Sequence, residues 1–129
     1  MAKIKTVKVK SDLTGPQLER LACLSEENGE SVQAVGKILR HGYTSYNPDG
    51  TVYKSNREQL QDEIGDVLAS AIVMVRAGDL DGQAINDRIA VKLQKYEKYL
   101  HYDENKQIVR ELLANSCRNT LIGNNQNVK

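Results

Sequence analysis

The sequence has no tryptophan and no phenylalanine, two cysteines, two prolines and almost no net charge. Without the largest aromatics, a core must come from aliphatic side chains and six tyrosines, a composition that favours helices over sheets. Cys23 and Cys117 are too few and too far apart for a disulfide framework, and no Cys/His spacing resembles zinc ligation. A reducing cytoplasm is the natural setting. Lys plus Arg number 18 against 17 Asp plus Glu, so nothing suggests bulk attraction to nucleic acid or a membrane surface. Any phosphate ligand must be held locally. No apolar run approaches the roughly 18 residues of a membrane span, and the opening Met1-Ala-Lys-Ile-Lys5 leads into no signal-peptide stretch. The chain contains neither a Walker A loop nor a Gly-x-Gly-x-x-Gly turn, and neither cysteine has a catalytic setting. His41 and His101 fall at helix ends, and neither follows a Glu by three residues, which excludes the Glu-x-x-His pattern of di-iron bundles.

What stands out instead is acid. Glu26-Glu27-Asn28-Gly29-Glu30 interrupts an apolar helical pattern and is echoed by Glu63-Ile64-Gly65-Asp66. Residues three or four apart share a helix face, so Glu27 with Glu30, and Glu63 with Asp66, each present two carboxylates side by side. If the two helices pack together, the pairs converge, and unit charges about 4 Å apart repel by roughly 4 kcal/mol at an effective dielectric near 20. Such a cluster calls for a cation. All-oxygen donors suit a hard ion, Mg²⁺ or Mn²⁺, which keeps waters and binds phosphate through its remaining positions. The bland alternative, that acids near a helix start favour its dipole, accounts for Glu58 and Asp62. It accounts poorly for Asp66, which borders the apolar run and should cost desolvation unless paired or metal-bound.

At 129 residues the chain suits one domain, over 1–123, with 124–129 as a disordered polar tail. Met1 to Asp12 alternates loosely and reads as a short strand or extended arm. Thr14 or Asp12 caps a first helix with Pro16 in its first turn and Leu18, Leu21, Leu24, Val32, Val35 and Leu39 as its stripe, ending at Gly42. Glu27 and Glu30 lie nearer that stripe than Glu26. Gly29 and Gly36 share an azimuth and either admit a close neighbour or are merely tolerated. Between Tyr43 and Ser55, Asn47-Pro48-Asp49-Gly50 matches a type I turn, which predicts a small β-hairpin or an ordered loop whose tyrosines, Tyr43, Tyr46 and Tyr53, either cover a nucleotide base or pack the loop.

A second helix starts near Asn56 as its cap and runs to Ala77. From Val67 to Val75 it is apolar all round, so it needs wrapping that a four-helix domain hardly supplies, which predicts self-association as a homodimer or homotetramer. After a turn at Asp79–Gly82, a third helix runs to Tyr102 with Ile85, Ile89, Leu93, Tyr96 and Leu100 inward and Lys92, Lys95 and Lys98 in a basic row. That row is either a solvated face or a set of phosphate contacts, with Lys54 and Arg57 as rivals. A fourth helix, capped by Asn105 or Asp103, carries Ile108, Leu112, Leu113, Cys117 and Leu121 to Gly123. The architecture is all-α.

Glu-Glu-x-x-Glu late in one helix followed by Glu-x-x-Asp early in the next resembles the MazG-type all-α nucleoside triphosphate pyrophosphohydrolases. The likeness extends through Leu24–Glu30, Lys37-Ile-Leu-Arg-His-Gly42 and Leu60–Leu68, and more loosely to about Tyr102. It implies a four-helix, oligomeric, MazG-like bundle in which Glu27, Glu30, Glu63 and Asp66 hold Mg²⁺, with Mn²⁺ as an alternative. The implied reaction splits a nucleoside triphosphate into monophosphate and pyrophosphate, with Glu26 or Glu27 handling the attacking water. Where the family often shows a Lys, Asn, Arg series, this chain has Lys92 followed by Tyr96 and Tyr99. Three other readings remain in view: a related dUTPase-like or phosphoribosyl-ATP pyrophosphohydrolase, a catalytically silent nucleotide-binding or regulatory module, and a structural helical oligomer.

Overall fold

The computed structural model describes residues 12–51 and 53–115. Over these residues it is all-helical, with α1 (Gly15–His41), α2 (Asn56–Arg76), α3 (Gly82–Tyr99) and α4 (Asp103–Asn115) and no strand. The chain divides into two compact units, Met1–Leu80 and Asp81–Lys129.

In the first unit, α1 begins where two free backbone donors find partners. Thr14 Oγ1 accepts from the Gln17 N–H at 3.4 Å, and Gln17 Oε1 accepts from the Thr14 N–H at 2.9 Å. Pro16 sits in the first turn, where its missing N–H costs nothing. The helix stops at Gly42, whose φ of 82° is open to glycine and strained for other residues. Ser55, rather than Asn56, caps α2, in a reciprocal pair with Glu58. The Asn56 side chain is committed elsewhere: it is 6% exposed and its Nδ2 donates to the Gly42 carbonyl at 2.9 Å. Beside it, the Asn56 N–H donates to Ser45 O at 2.7 Å and the Arg57 N–H to Tyr43 O at 3.0 Å. These bonds fasten the start of α2 to the end of α1. At the far end, Arg20 Nε and Nη2 donate to the Asp79 carboxylate at 2.5 and 3.0 Å, fastening the early turns of α1 to the residues after α2. The two helices therefore lie antiparallel.

The crossing segment is an ordered loop and not a hairpin. Among the described residues its β-pairing is one isolated antiparallel bridge, Tyr46 with Ser55, because α2 begins at the next residue and ends any ladder. The expected turn is present, with the Gly50 N–H donating to Asn47 O at 3.2 Å and the Asp49 N–H to Asn47 Oδ1 at 3.1 Å. The Tyr46 and Tyr53 rings meet edge to face at 5.8 Å.

In the second unit Asp81 caps α3, accepting from the Gln83 and Ala84 N–H groups at 2.8 and 3.2 Å. The helix ends at Tyr99 rather than Tyr102, since Leu100 turns to an extended ψ of 142° and α4 opens at Asp103. Asp103 and Asn105, expected as caps, both lie inside α4. Its buried residue is Val109, whereas Ile108 is half exposed, so its inward face is turned by one residue from the expected one. Tyr96 on α3, expected inward, is 41% exposed, with the Lys92 ammonium 4.8 Å from its ring centroid. The expected arm before residue 12, the reach of α4 to Gly123 and the polar tail lie outside the described residues.

Among the described residues only Ala34, Asn56, Met74 and Val109 are buried. Leu18, Leu21, Val32, Val35 and Leu39 on α1, and Leu68, Ile72 and Val73 on α2, all remain exposed, Leu39 at 81%. Each helix of an antiparallel pair covers a single stripe of its neighbour, which leaves most of these apolar faces uncovered.

Candidate functional site

The antiparallel pairing of α1 and α2 sets the middle of one helix against the early turns of the other, and the two acidic motifs meet there. Glu27, Glu63 and Asp66 each offer a carboxylate oxygen, all within 4.8 Å of one another. Glu27 and Glu63 are half-buried and Asp66 is exposed. The expectation that Asp66 pays a burial cost is thus corrected: its position opens to solvent, and Glu63 is the more enclosed acid of the α2 pair. Glu30 is exposed and stands outside the three-oxygen group, but it reaches Glu63. Partial burial pushes the Glu63 carboxyl upward, followed by the charge of Glu30 and a hydrogen bond with it, then by Asp66 and Glu27. Glu27 is raised as well, first by desolvation and then by the charges of Asp66, Glu30 and Glu26. Mutual repulsion among carboxylates is what a bound cation relieves, and a donor set made only of carboxylate oxygens fits a hard divalent ion.

The cluster borders a cavity of about 480 Å³ between the helices. Glu27 and Asp66 form part of its wall, with Arg20 and Cys23 from α1 and Ser70 and Val73 from α2. The sequence reading passed over these neighbours. The signal was there in spacing, since Arg20, Cys23 and Glu27 share one face of α1, and Asp66, Ser70 and Val73 one face of α2. The Arg20 guanidinium is engaged by Asp79, whose carboxyl that contact holds below the usual range.

The remaining candidates separate. Glu26 is exposed beside Glu27. Lys54 pairs with Asp62, and Arg57 lies over the Tyr43 ring with its guanidinium carbon 4.6 Å from the centroid. Lys92 and Lys95 belong to α3 in the second unit, both exposed. A side chain added at Gly29 or Gly36 meets nothing within 4 Å among the described residues, so neither glycine serves a close approach there.

The model of the MazG nucleotide pyrophosphohydrolase domain matches residues 16–101. The chain belongs to this family. The match begins in the first turn of α1, runs across the boundary between the two units and takes in all four carboxylates of the MazG-like motif pair. No curated protein and no solved structure gives a significant match.

Proposed function

We propose that this MazG-family chain hydrolyses a nucleoside triphosphate to the monophosphate and pyrophosphate in a Mg²⁺-dependent reaction, Mn²⁺ being the alternative ion. The observation that carries the reading is the convergence of Glu27, Glu63 and Asp66 within 4.8 Å, with Glu27 and Asp66 lining a cavity large enough for a nucleoside. Glu27, Glu63 and Asp66 would hold the ion, with Glu30 completing the set through its contact with Glu63. A bound divalent ion supplies charge neutralisation at the phosphates and a more acidic water.

The chain's own side chains do the rest. Glu26 or Glu27 orients the attacking water and accepts its proton. The water oxygen bonds to the α phosphorus, the bond from that phosphorus to the α–β bridging oxygen breaks, and its electron pair departs with pyrophosphate. Lys54, Arg57, Lys92 and Lys95 are the cations offered to phosphate oxygens. Self-association as a homodimer or homotetramer is supported by the exposed apolar faces of α1 and α2, and a cytoplasmic setting by the scarcity of cysteine. No helix among the described residues is long and apolar enough to cross a membrane.

A second reading, a MazG-like module that binds nucleotide without turnover, is favoured by one observation: Tyr96 and Tyr99 follow Lys92 on α3, and Lys92 rests on the Tyr96 ring. Pyrophosphate release from a panel of canonical and modified nucleoside triphosphates, with Mg²⁺, Mn²⁺ or EDTA, separates the two. Metal-dependent release that is lost in Glu63→Gln supports the enzyme. No release from any substrate, with metal-dependent thermal stabilisation retained, supports the silent module.

A further inference from the structure

A second cavity, of about 580 Å³, lies where α1 ends, α2 begins and the intervening loop folds over them. Lys37, Arg40 and His41 from α1 and Lys54 from the loop line it, with Tyr46 and Gln59 beside them, and no carboxylate forms part of its wall. In a chain whose acids and bases nearly balance, that is a strongly one-sided lining. Two basic residues in the last turn of α1 would by themselves be ordinary helix-end chemistry. Here Lys37, one turn earlier, and Lys54, from a separate segment, face the same space. Lys54 is held by Asp62 and Lys37 reaches Gln59 at 3.4 Å, whereas Arg40 and His41 have no ion pair among the described residues.

The cavity's place along the helix pair gives it a meaning. Residues 37–41 of α1 and 54–59 before and within α2 lie at one end, and the Arg20–Cys23 and Ser70–Val73 cavity lies toward the other. The carboxylates at 27–30 and 63–66 stand between them. At about 1.5 Å per residue, Lys37 is roughly 10 Å along α1 from Glu30, and Gln59 roughly 6 Å along α2 from Glu63, distances that long basic side chains shorten. Resting on the pyrophosphohydrolase reading, we infer that the basic cavity is a polyphosphate subsite. It takes the β and γ phosphates of the nucleotide, and afterwards the pyrophosphate product, while the nucleoside lies on the opposite side of the carboxylates. On this assignment the loop tyrosines do not cover the base. Arg40 and Lys37 supply charge-assisted hydrogen bonds to phosphate oxygens, and the loop is a wall of the leaving-group pocket.

The test is calorimetric titration of inorganic pyrophosphate into the full chain in EDTA, for wild type, Arg40→Glu, Lys37→Ala and Glu63→Gln, with far-UV circular dichroism to confirm folding. Arg40 is exposed, so its replacement leaves the helix pair intact. Binding should weaken by about tenfold or more in Arg40→Glu, and measurably in Lys37→Ala. It should survive in Glu63→Gln, which removes a repelling charge outside the cavity. With an active substrate, Arg40→Ala should raise KM for the triphosphate while leaving inhibition by the monophosphate unchanged. Pyrophosphate binding that ignores Arg40 and Lys37, or a KM that does not move when that binding is lost, would overturn the subsite. Absence of turnover in the wild type, with Arg40-dependent pyrophosphate binding intact, would instead count against the hydrolytic reading and leave the anion site standing.

Discussion

Replacing Asn56 should loosen the first unit more than any exposed substitution, because its side chain joins two helix ends and is almost wholly buried. Asn56→Ala removes the donor to Gly42 O and leaves that carbonyl without its partner, at a cost of about 2 kcal/mol. For a chain of 129 residues this corresponds to a fall in melting temperature of roughly 6–8 °C. Asn56→Asp is the sharper variant. It keeps the size and adds a negative charge in the first turn of α2, where the helix dipole favours it by about 0.3–1 kcal/mol. It also sets a carboxylate oxygen against the Gly42 carbonyl, two acceptors facing each other, so it should be no more stable than Asn56→Ala. Urea unfolding followed by circular dichroism, with the midpoint read at unchanged slope, measures both. An Asn56→Asp variant as stable as wild type would refute the assignment of Nδ2 as the donor that joins the helices.

Met74→Ala, at a residue 3% exposed, should cost about 2–5 kcal/mol in the same assay. Glu63→Gln should raise the melting temperature of metal-free protein at neutral pH, since it removes a carboxyl whose pKa folding raises, and should abolish any rise on adding Mg²⁺. The signs of the pH responses differ between sites. Glu27 and Glu63 are raised in the fold, so what they contribute is fully present below the ordinary carboxylate pKa and is lost as pH rises through their folded values. Asp79 is lowered by Arg20, so its contribution is present above the ordinary carboxylate pKa and is lost as pH falls through the lower folded one. Melting curves of wild type and Asp79→Asn should therefore converge below about pH 4, and curves that stay parallel would contradict the pairing.

The acidic motifs were legible because carboxylate spacing on a helix is a short-range property. Glu27, Glu63 and Asp66 needed only the two helices to pack, and their spacing fixed which faces would meet. Gly42 marked the end of α1 for an equally local reason, its φ. The Ser55 cap was written in the sequence as Ser-x-x-Glu through Glu58, but the neighbouring Asn56 matched the same residue preference and concealed it. What local pattern could not supply was the long-range pairing: Arg20 with Asp79, 59 residues apart, and Asn56 with Gly42, 14 apart. The choice of Val109 over Ile108 was equally out of reach, since adjacent β-branched residues on α4 differ by about 100° of azimuth and only the packed neighbour decides between them.

All three clustered oxygens come from helices consecutive in the chain, joined by a single loop. The acids therefore confront one another as soon as that one helical pair closes, before α3 and α4 need be in place. Closure at such modest sequence separation is fast, and the electrostatic opposition is met on the way into the native state rather than after it. On the proposed reading, a divalent ion held by these acids would then act on the rate at which the pair forms as well as on its final stability, assisting the chain's own assembly.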